Sequence, residues 1–500
     1  MRSKKAVLNV VISLLFELVT IISAFLLPRL VLNSFGSATN GITQAVSQFI
    51  GYISLIAAGV GSVTVASLYR PIANKDIGKV SSIIKATEIF MRKVSRIFIG
   101  GLIVFAIVFP IFVIEEFDYF FSLSLVIILG IGIFGNYYFG ITYRMVLNAD
   151  QKQYIFKIVK IIVLIIHTTV AVILINLGAT IHIVKLASSL IFLINPVFVY
   201  IYVRKVYKLD KFAKPDFTAI KQRWDAFAHQ IANFVNNNTD LIILIIFTNS
   251  REVSVYSVYY LIFNGIRALV LSMITGTTSA FGNMFAKGEI KTVEKNLKLY
   301  EFLLHSISVI IYTSMAILIT SFIDLYVKGV TDVNYHRPLF GYIISAIGFF
   351  MAVRIPYQAV TNAAGHFKQT RNGAIVEVIL NITISLVLVI PLGMIGLAIG
   401  TLSATIFRTI QYGLYSSRNI VKRSTWIIIR RYFISILNVV SILIVCFLLP
   451  QKIVNNYYDW IINGLIITGV GVIITLIYSF IFYSQDLHNM KHFILRVLKR

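Results

Sequence analysis

The amino-acid sequence predicts an all-α polytopic membrane protein. Hydrophobic residues fill 58% of its 500 positions, and its mean hydropathy is +0.85. Only 13% of the residues are charged, which is too few to cover the surface of a soluble protein of this length. Because lipid offers the backbone no hydrogen-bond partner, each spanning segment is expected to be a helix of roughly 20 residues.

About fourteen apolar segments are long enough to span a membrane. The first two are joined by a stretch that contains Pro28, Gly36 and Gly41, which are predicted to stop the helices. The predicted limits of the segments are 7–27, 42–67, 96–114, 120–146, 155–177, 181–203, 225–249, 255–285, 300–325, 338–362, 372–391, 394–416, 432–450 and 460–483.

Lysines and arginines are concentrated in every second loop, as expected when fourteen segments cross the membrane in alternating directions. Cytoplasmic loops of membrane proteins carry an excess of Lys and Arg. If the N-terminus is cytoplasmic, the inner segments hold 36 of the 45 basic residues and the outer loops hold five. One outer loop is acidic instead, with Glu115, Glu116 and Asp118. We therefore expect an even number of spans and both termini in the cytoplasm.

Composition and missing motifs exclude several function classes. The net charge of +25 is spread over eight inner segments without a basic domain, so it does not indicate nucleic-acid binding. No loop is long enough for a soluble catalytic domain, and no GxxxxGK[ST], HExxH, CxxC or GxSxG motif is present. The single cysteine, Cys446, excludes an internal disulfide and a cysteine-based metal site. The sequence therefore predicts no catalytic residue, no metal and no cofactor.

Two short matches indicate an internal repeat. Residues 147–153 (LNADQKQ) and 363–369 (AAGHFKQ) each follow an apolar segment and pair at an offset of 216. Residues 69–76 and 281–289 pair at an offset of about 213. The repeat predicts two six-helix bundles related by a pseudo-twofold axis along the membrane normal, plus two extra C-terminal helices.

This repeat divides the chain into four predicted parts. They are an N-terminal bundle at 1–203, a cytoplasmic linker at 204–224, a C-terminal bundle at 225–416, and the appended helices 13 and 14 with a cytoplasmic tail at 417–500.

Polar side chains inside two predicted spans indicate a lined cavity. When segment seven is drawn as a helical wheel with 100° per residue, its polar side chains fall within an arc of roughly 80°. The members of this stripe are Asp225, His229, Asn233, Asn236 and Asp240. Segment one, the counterpart of segment seven in the repeat, carries Asn9, Ser13 and Glu17 at spacings of four. Such stripes either line a cavity or join helices by hydrogen bonds. On the cavity interpretation, Asn233 and Asn236 bind substrate, and Glu17, Asp240 and Glu377 are ion-coupling or cavity carboxylates.

Four basic residues fall inside predicted spans, where a charge needs a partner or a cavity. Arg267 and Arg354 are predicted to bind an anion, because the permanently charged guanidinium fork suits phosphate. The alternative is that each pairs with a buried carboxylate. Lys185 and Arg408 lie near helix ends and can extend towards water. Arg29, in an outer loop, is a further candidate for substrate binding, and His167 and His305 are expected to pack within the bundles.

Stretches along nearly the whole chain carry a resemblance to a known family. They are FLLPRLVLNSFG at 25–36, NG at 40–41, SLYRPIA at 67–73, NTD at 238–240, VYSVY at 255–259, AAGHFK at 363–368 and IGT at 399–401. In their order and spacing, the chain resembles the bacterial polysaccharide repeat-unit flippases of the Wzx type. These belong to the multidrug/oligosaccharidyl-lipid/polysaccharide exporter (MOP) superfamily.

The resemblance implies a multi-pass protein of the bacterial plasma membrane that moves undecaprenyl-diphosphate-linked oligosaccharide from the cytoplasmic to the outer leaflet by alternating access. Such transport serves capsule, exopolysaccharide or O-antigen synthesis, so the expected partners are this lipid, the bilayer, and the polymerase and glycosyltransferases of the same pathway. Two alternatives within the superfamily are a peptidoglycan lipid II flippase and a cation-coupled multidrug antiporter. An alternative of a different class is a non-transporting membrane scaffold for polysaccharide assembly.

Overall fold

The protein is helical throughout the part that its computed structural model describes, and this part contains no β-strand. The described residues are 2–54, 60–210, 212–220, 239–272, 281–282, 284–285, 287–449, 453–488 and 490. Their fifteen α-helices are α1 Arg2–Ser54, α2 Val60–Ala73, α3 Ile77–Phe112, α4 Tyr119–Gly135, α5 Ile141–Ala149, α6 Gln153–Asn176, α7 Ile181–Tyr207, α8 Asp240–Phe247, α9 Ser250–Ser272, α10 Ile290–Tyr326, α11 Pro338–Ala363, α12 Phe367–Leu392, α13 Met394–Tyr415, α14 Trp426–Leu448 and α15 Tyr457–Phe482. A π-helical turn, Asn136–Gly140, joins α4 to α5. The predicted all-α class is confirmed.

Twelve helical stretches of the described residues are long and apolar enough to cross a membrane. The number is two lower than the fourteen predicted segments, for two reasons. Segments one and two both begin in α1, whose 53 residues would extend about 80 Å as one helix, against a hydrocarbon thickness of about 30 Å. Most of segment seven, residues 225–238, lies outside the described part, and α8 forms its end.

Helix α1 is divided into two arms at Gly36, where φ is 79° and ψ is 173°. This positive φ suits glycine, which has no Cβ to clash with the backbone. The second arm begins with Ser37, whose backbone N and Oγ donate hydrogen bonds of 2.7 and 2.6 Å to the carboxylate of Asp332. These bonds satisfy groups that a helix start leaves unpaired, so the break predicted between the first two segments lies here.

The predictions that Pro28 and Gly41 stop helices are wrong. Pro28 lies inside the first arm of α1, as proline often does in membrane helices whose freed carbonyls find other partners. Gly41 lies inside the second arm. A Cβ at Gly41 would come within 1.7 Å of the carbonyl oxygen of Ser250. The glycine therefore permits close packing between this arm and the start of α9.

The helices form two compact units. Unit 1 comprises Met1–Val255 with Gly329–Val333, and unit 2 comprises Tyr256–Lys328 with Asn334–Arg500. In unit 1, α6 packs against α1 and α7, and α4 packs against α3 and α7. In unit 2, α13 packs against α11 and α12, and α10 packs against α11, α14 and α15. The four predicted parts of the chain stay a prediction.

Matching helix ends in the two units reveal the register of the repeat. Lys75 and Gly288, 213 positions apart, both adopt positive φ after a helix. So do Gln151 and Gly365, 214 positions apart. In each case the following backbone N–H reaches back to the carbonyl five residues earlier, as in a Schellman turn, at 2.8–3.2 Å. The sequence match at an offset of 216 is therefore two positions out of the structural register.

The segment after α7 is held against the start of α3. The backbone N of Asp210 donates to Ser81 Oγ at 3.0 Å, and that of Asp216 donates to Ser82 O at 3.1 Å. Lys79 Nζ lies 2.7 Å from the Asp216 carboxylate, and its hydrogen bond lowers the pKa of Asp216 to about 2. This carboxylate is therefore ionised at neutral pH, and the segment covers Ser81.

The predicted orientation can be tested with single cysteines in a Cys446→Ser background. Ile77 is half exposed at the start of α3, and Glu115 is exposed between α3 and α4. We expect Ile77→Cys to be protected from a membrane-impermeant maleimide added to intact cells and Glu115→Cys to be labelled. After permeabilisation both should react. Labelling with the opposite preference would invert the topology.

Candidate functional site

A carboxylate between two guanidinium groups forms the centre of a charged cluster inside the spans of unit 2. Glu377 on α12 is only 7% exposed. Arg354 on α11 places Nη1 at 2.8 Å from Glu377 Oε1, and Arg408 on α13 places Nε at 3.3 Å from Oε2. The structure thus joins two of the predicted site residues, Arg354 and Glu377, in an ion pair. It adds a third residue, Arg408, that was expected to lie near water.

Arg408 is buried rather than extended towards solvent, contrary to the sequence-based expectation. Besides Glu377, it donates to the backbone carbonyl of Thr370 at 3.0 Å and to Tyr412 Oη at 2.9 Å, and it also bonds to Gln411. Its guanidinium carbon lies 4.1 Å from the centroid of the Tyr412 ring. Because so many groups compensate its charge, Arg408 is firmly held in the helix packing.

Arg354 is held less completely than Arg408. Its Nε is buried and has no hydrogen-bond partner among the described residues. Arg267, half-buried on α9, lies close enough for its charge to repel that of Arg354. Two guanidinium groups therefore contact one carboxylate, and this trio carries net positive charge inside a membrane-spanning region. Such a charge is costly in lipid unless an anion or a cavity compensates for it.

The other predicted site residues are distributed differently. Asn233 and Asn236 lie outside the described residues. Glu17 is exposed on the first arm of α1, and Arg29 is half-buried on the same arm. Asp240 is the first residue of α8. Their roles in substrate binding and ion coupling stay predictions.

A positively charged pocket of about 400 Å³ lies in unit 1 among α1, α4, α5, α6 and α7. Its cationic lining residues are Arg144, Lys160 and Lys185. In the sequence, Arg144 and Lys160 lie at the ends of predicted spans and count among the basic residues expected on the inner side, and Lys185 lies near a helix end. Linear position alone does not show that these three side chains face a single space.

Each unit also contains a buried cluster of an acid, a tyrosine and an arginine. In unit 1, Arg204 donates to Glu88 Oε1 and to Tyr143 Oη, both at 3.1 Å, and Tyr143 also donates to Glu88. These residues join α3, α5 and α7. Glu88 lies between two predicted spans, among lysines and arginines, so its position in the sequence does not indicate a buried cluster.

The corresponding acid of unit 2 is Glu301, 213 positions after Glu88, and Tyr357 lies nearby, 214 positions after Tyr143. Glu301 is fully buried. It pairs with Arg423 at Oε1 and, at 3.1 Å, at Oε2, and it lies 3.4 Å from Arg431 Nη1. Arg431 in turn pairs with Asp486 at 2.9 Å. The register of the repeat therefore relates the acid and the tyrosine of the two clusters, whereas their arginines, Arg204 and Arg423, are 219 positions apart.

Comparison with known proteins identifies the fold. No family model matches the sequence, and no curated protein matches it. Among solved structures, the chain is similar to the lipid II flippase MurJ in an inward closed conformation, with a TM-score of 0.72 and 15% identity over 95% of this chain and 100% of that one.

Two multidrug transporters show a lower similarity. An inward-facing MATE family transporter of the MOP superfamily has a TM-score of 0.61 and 13% identity, over 81% of this chain and 95% of that one. A mutant of the Vibrio cholerae MATE transporter VcmN has a TM-score of 0.56 and 14% identity, over 85% and 99%. The chain therefore has the helical fold that these MOP-superfamily transporters share.

Proposed function

We propose that the protein is a flippase that moves undecaprenyl-diphosphate-linked oligosaccharide repeat units from the cytoplasmic to the outer leaflet by alternating access. The observation that carries this proposal is the position of Glu377 between Arg354 and Arg408 inside the spans. The similarity to a lipid II flippase over 95% of the chain supports the same class of transport.

The ion pair provides a physical basis for diphosphate binding. A diphosphate offers several oxygens in a geometry that matches the guanidinium fork, so it competes well with a carboxylate for Arg354. Because Arg408 has other partners that hold it, Arg354 is the guanidinium that we expect to change partner, assisted by Arg267. The empty and loaded states then differ in their ion pairs, and a ligand that interacts differently with two states shifts the equilibrium between them.

The charge of the cluster disfavours two of the three alternative functions, the multidrug antiporter and the scaffold. A multidrug antiporter for cations would need aromatic or acidic groups at its site, whereas here two arginines contact one carboxylate and a third arginine, Arg267, lies near Arg354. A scaffold that only recruits polymerases or glycosyltransferases has no use for net positive charge in its spans, because that charge is costly there. In the proposed role, the protein works in a bacterial plasma membrane. Glycosyltransferases supply its lipid-linked substrate, and polymerases consume the lipid after it has been flipped.

Reconstitution tests the proposal. Purified protein is placed in vesicles that contain undecaprenyl-diphosphate-linked oligosaccharide in both leaflets, and a membrane-impermeant glycosidase is added outside. We expect the protein to make the inner-leaflet fraction accessible, whereas protein-free vesicles keep it protected. Parallel vesicles contain lipid II or a fluorescent organic cation. Movement of lipid II alone would assign the lipid II function, and movement of the cation alone would assign the antiporter function; either result contradicts the proposal.

A further inference from the structure

The pocket in unit 1 carries positive charge that no carboxylate of the described residues neutralises at close range. None of its described lining residues is acidic. No described carboxylate forms a salt bridge with Arg144, Lys160 or Lys185. The carboxylate of Glu17 attracts Lys160 electrostatically, but from beyond salt-bridge distance, and the Glu17 side chain is exposed on α1. A pocket of this kind favours an anionic ligand.

The uncharged part of the lining is suited to a sugar. The rings of Phe156 and Phe192 provide flat apolar faces, and the amides of Asn136 and Asn195 and the hydroxyl of Ser189 provide hydrogen-bond donors and acceptors. Binding sites for small organic ligands combine such apolar walls with a few polar groups.

The dimensions of the pocket exceed those needed for a simple inorganic anion. Its volume of about 400 Å³ lies in the range of sites for small organic molecules. Lys160 and His167, both in its lining, are seven residues apart on α6, which corresponds to about 10 Å along the helix. Lys185, on the neighbouring helix α7, lies near His167. Cationic groups therefore lie at both ends of an elongated space.

The repeat register shows one difference between this pocket and unit 2. At the offset of 214 that Gln151 and Gly365 establish, Val163 of the pocket corresponds to Glu377 of unit 2. Glu377 is the carboxylate that pairs with Arg354 and Arg408, so the pocket has no acidic residue at the corresponding position.

We infer that the pocket in unit 1 binds a sugar residue that carries a carboxylate, as part of the glycan of the transported lipid. This inference rests on the proposed function and adds to it the charge of the substrate. Arg144 and Lys160 bind the carboxylate from one end of the pocket, while the amides and the phenyl rings contact the hydroxyls and the ring face of the sugar.

The first test measures flipping of two lipid-linked trisaccharides that differ only at one residue, glucuronic acid or glucose. We expect wild-type protein to flip the acidic lipid on the order of tenfold faster, which corresponds to one lost charge pair. The combined variant Arg144→Gln, Lys160→Gln, Lys185→Gln should lose this preference, so that the ratio of its two flipping rates falls to about one. The matched control is Lys205→Gln, exposed on α7 outside the pocket, which should keep it.

A second measurement separates this inference from the proposed function. The free trisaccharides, without lipid, are added to purified protein, and binding is followed by thermal stabilisation. The acidic trisaccharide should stabilise the wild type and Lys205→Gln but not the combined variant, whether or not any lipid is flipped. Equal stabilisation by the neutral trisaccharide, or by inorganic phosphate at the same concentration, would overturn the inference. Equal flipping of both lipids would overturn it too, but would leave the flippase proposal in place.

Discussion

Replacing Arg354 by alanine should stop flipping. The variant leaves Glu377 with Arg408 alone and removes the guanidinium that we expect to bind the diphosphate. Loss of one partner from a buried charged pair weakens binding by about 2 to 5 kcal/mol, which corresponds to roughly 30-fold or more in affinity. Arg354→Lys keeps the charge but loses the bidentate fork, so it should retain part of the activity. The measurement is the flipping rate in vesicles at equal protein content.

Two controls distinguish a transport defect from misfolding. Arg418→Ala changes an exposed arginine outside the cluster and should flip at the wild-type rate. The thermal stability of purified Arg354→Ala should stay close enough to that of the wild type for the protein to remain folded at the assay temperature. Full activity of both Arg354→Ala and Arg267→Ala would remove these arginines from the substrate site and leave Arg29 as the remaining predicted arginine.

Replacing Glu301 by alanine should give the largest loss of stability. The side chain is fully buried and compensates two guanidinium groups, those of Arg423 and Arg431. Removing one member of a buried ion pair lowers the free energy of unfolding by about 3 to 5 kcal/mol, because the remaining charge stays buried without its partner. We expect a matching decrease in the free energy of unfolding in detergent, measured with a denaturant series.

Other carboxylates provide matched comparisons for Glu301. Glu294 forms a partly exposed pair with Lys298 one helical turn away, so Glu294→Ala should change stability by about 0.5 kcal/mol or less. Glu88→Ala should fall between the two, because its partner Arg204 is 23% exposed. A loss for Glu301→Ala no larger than that for Glu294→Ala would show that the buried pair contributes little to stability.

The membrane class and the approximate spans follow from the sequence because the bilayer imposes a strong constraint. A stretch of about 20 apolar residues has few ways to exist other than as a spanning helix. The residues at which one helix ends and the next begins are less predictable, because they depend on tertiary contacts. Gly36 and Gly41 look alike in the sequence, yet one adopts positive φ and the other packs against Ser250 inside a helix.

The candidate site was predictable only in part. Arg354 and Glu377 stand out because a charge within an apolar run is unusual, and the structure pairs them. Arg408 was misjudged because its distance from a helix end does not reveal that Glu377 and Tyr412 surround it. The pocket in unit 1 was missed for a related reason. The charge pattern that indicates topology treats every inner lysine or arginine alike, including Arg144, which faces the interior.

The two acid–tyrosine–arginine clusters have a consequence for how the chain is made. Arg204 is synthesised 116 residues after Glu88, and Arg423 is synthesised 122 residues after Glu301. Each cluster therefore closes only after most of its own unit has left the ribosome. The cluster of unit 1 can close before Glu301 has been translated. The two clusters thus form one after the other, and a product truncated before Arg204 would leave Glu88 without this partner.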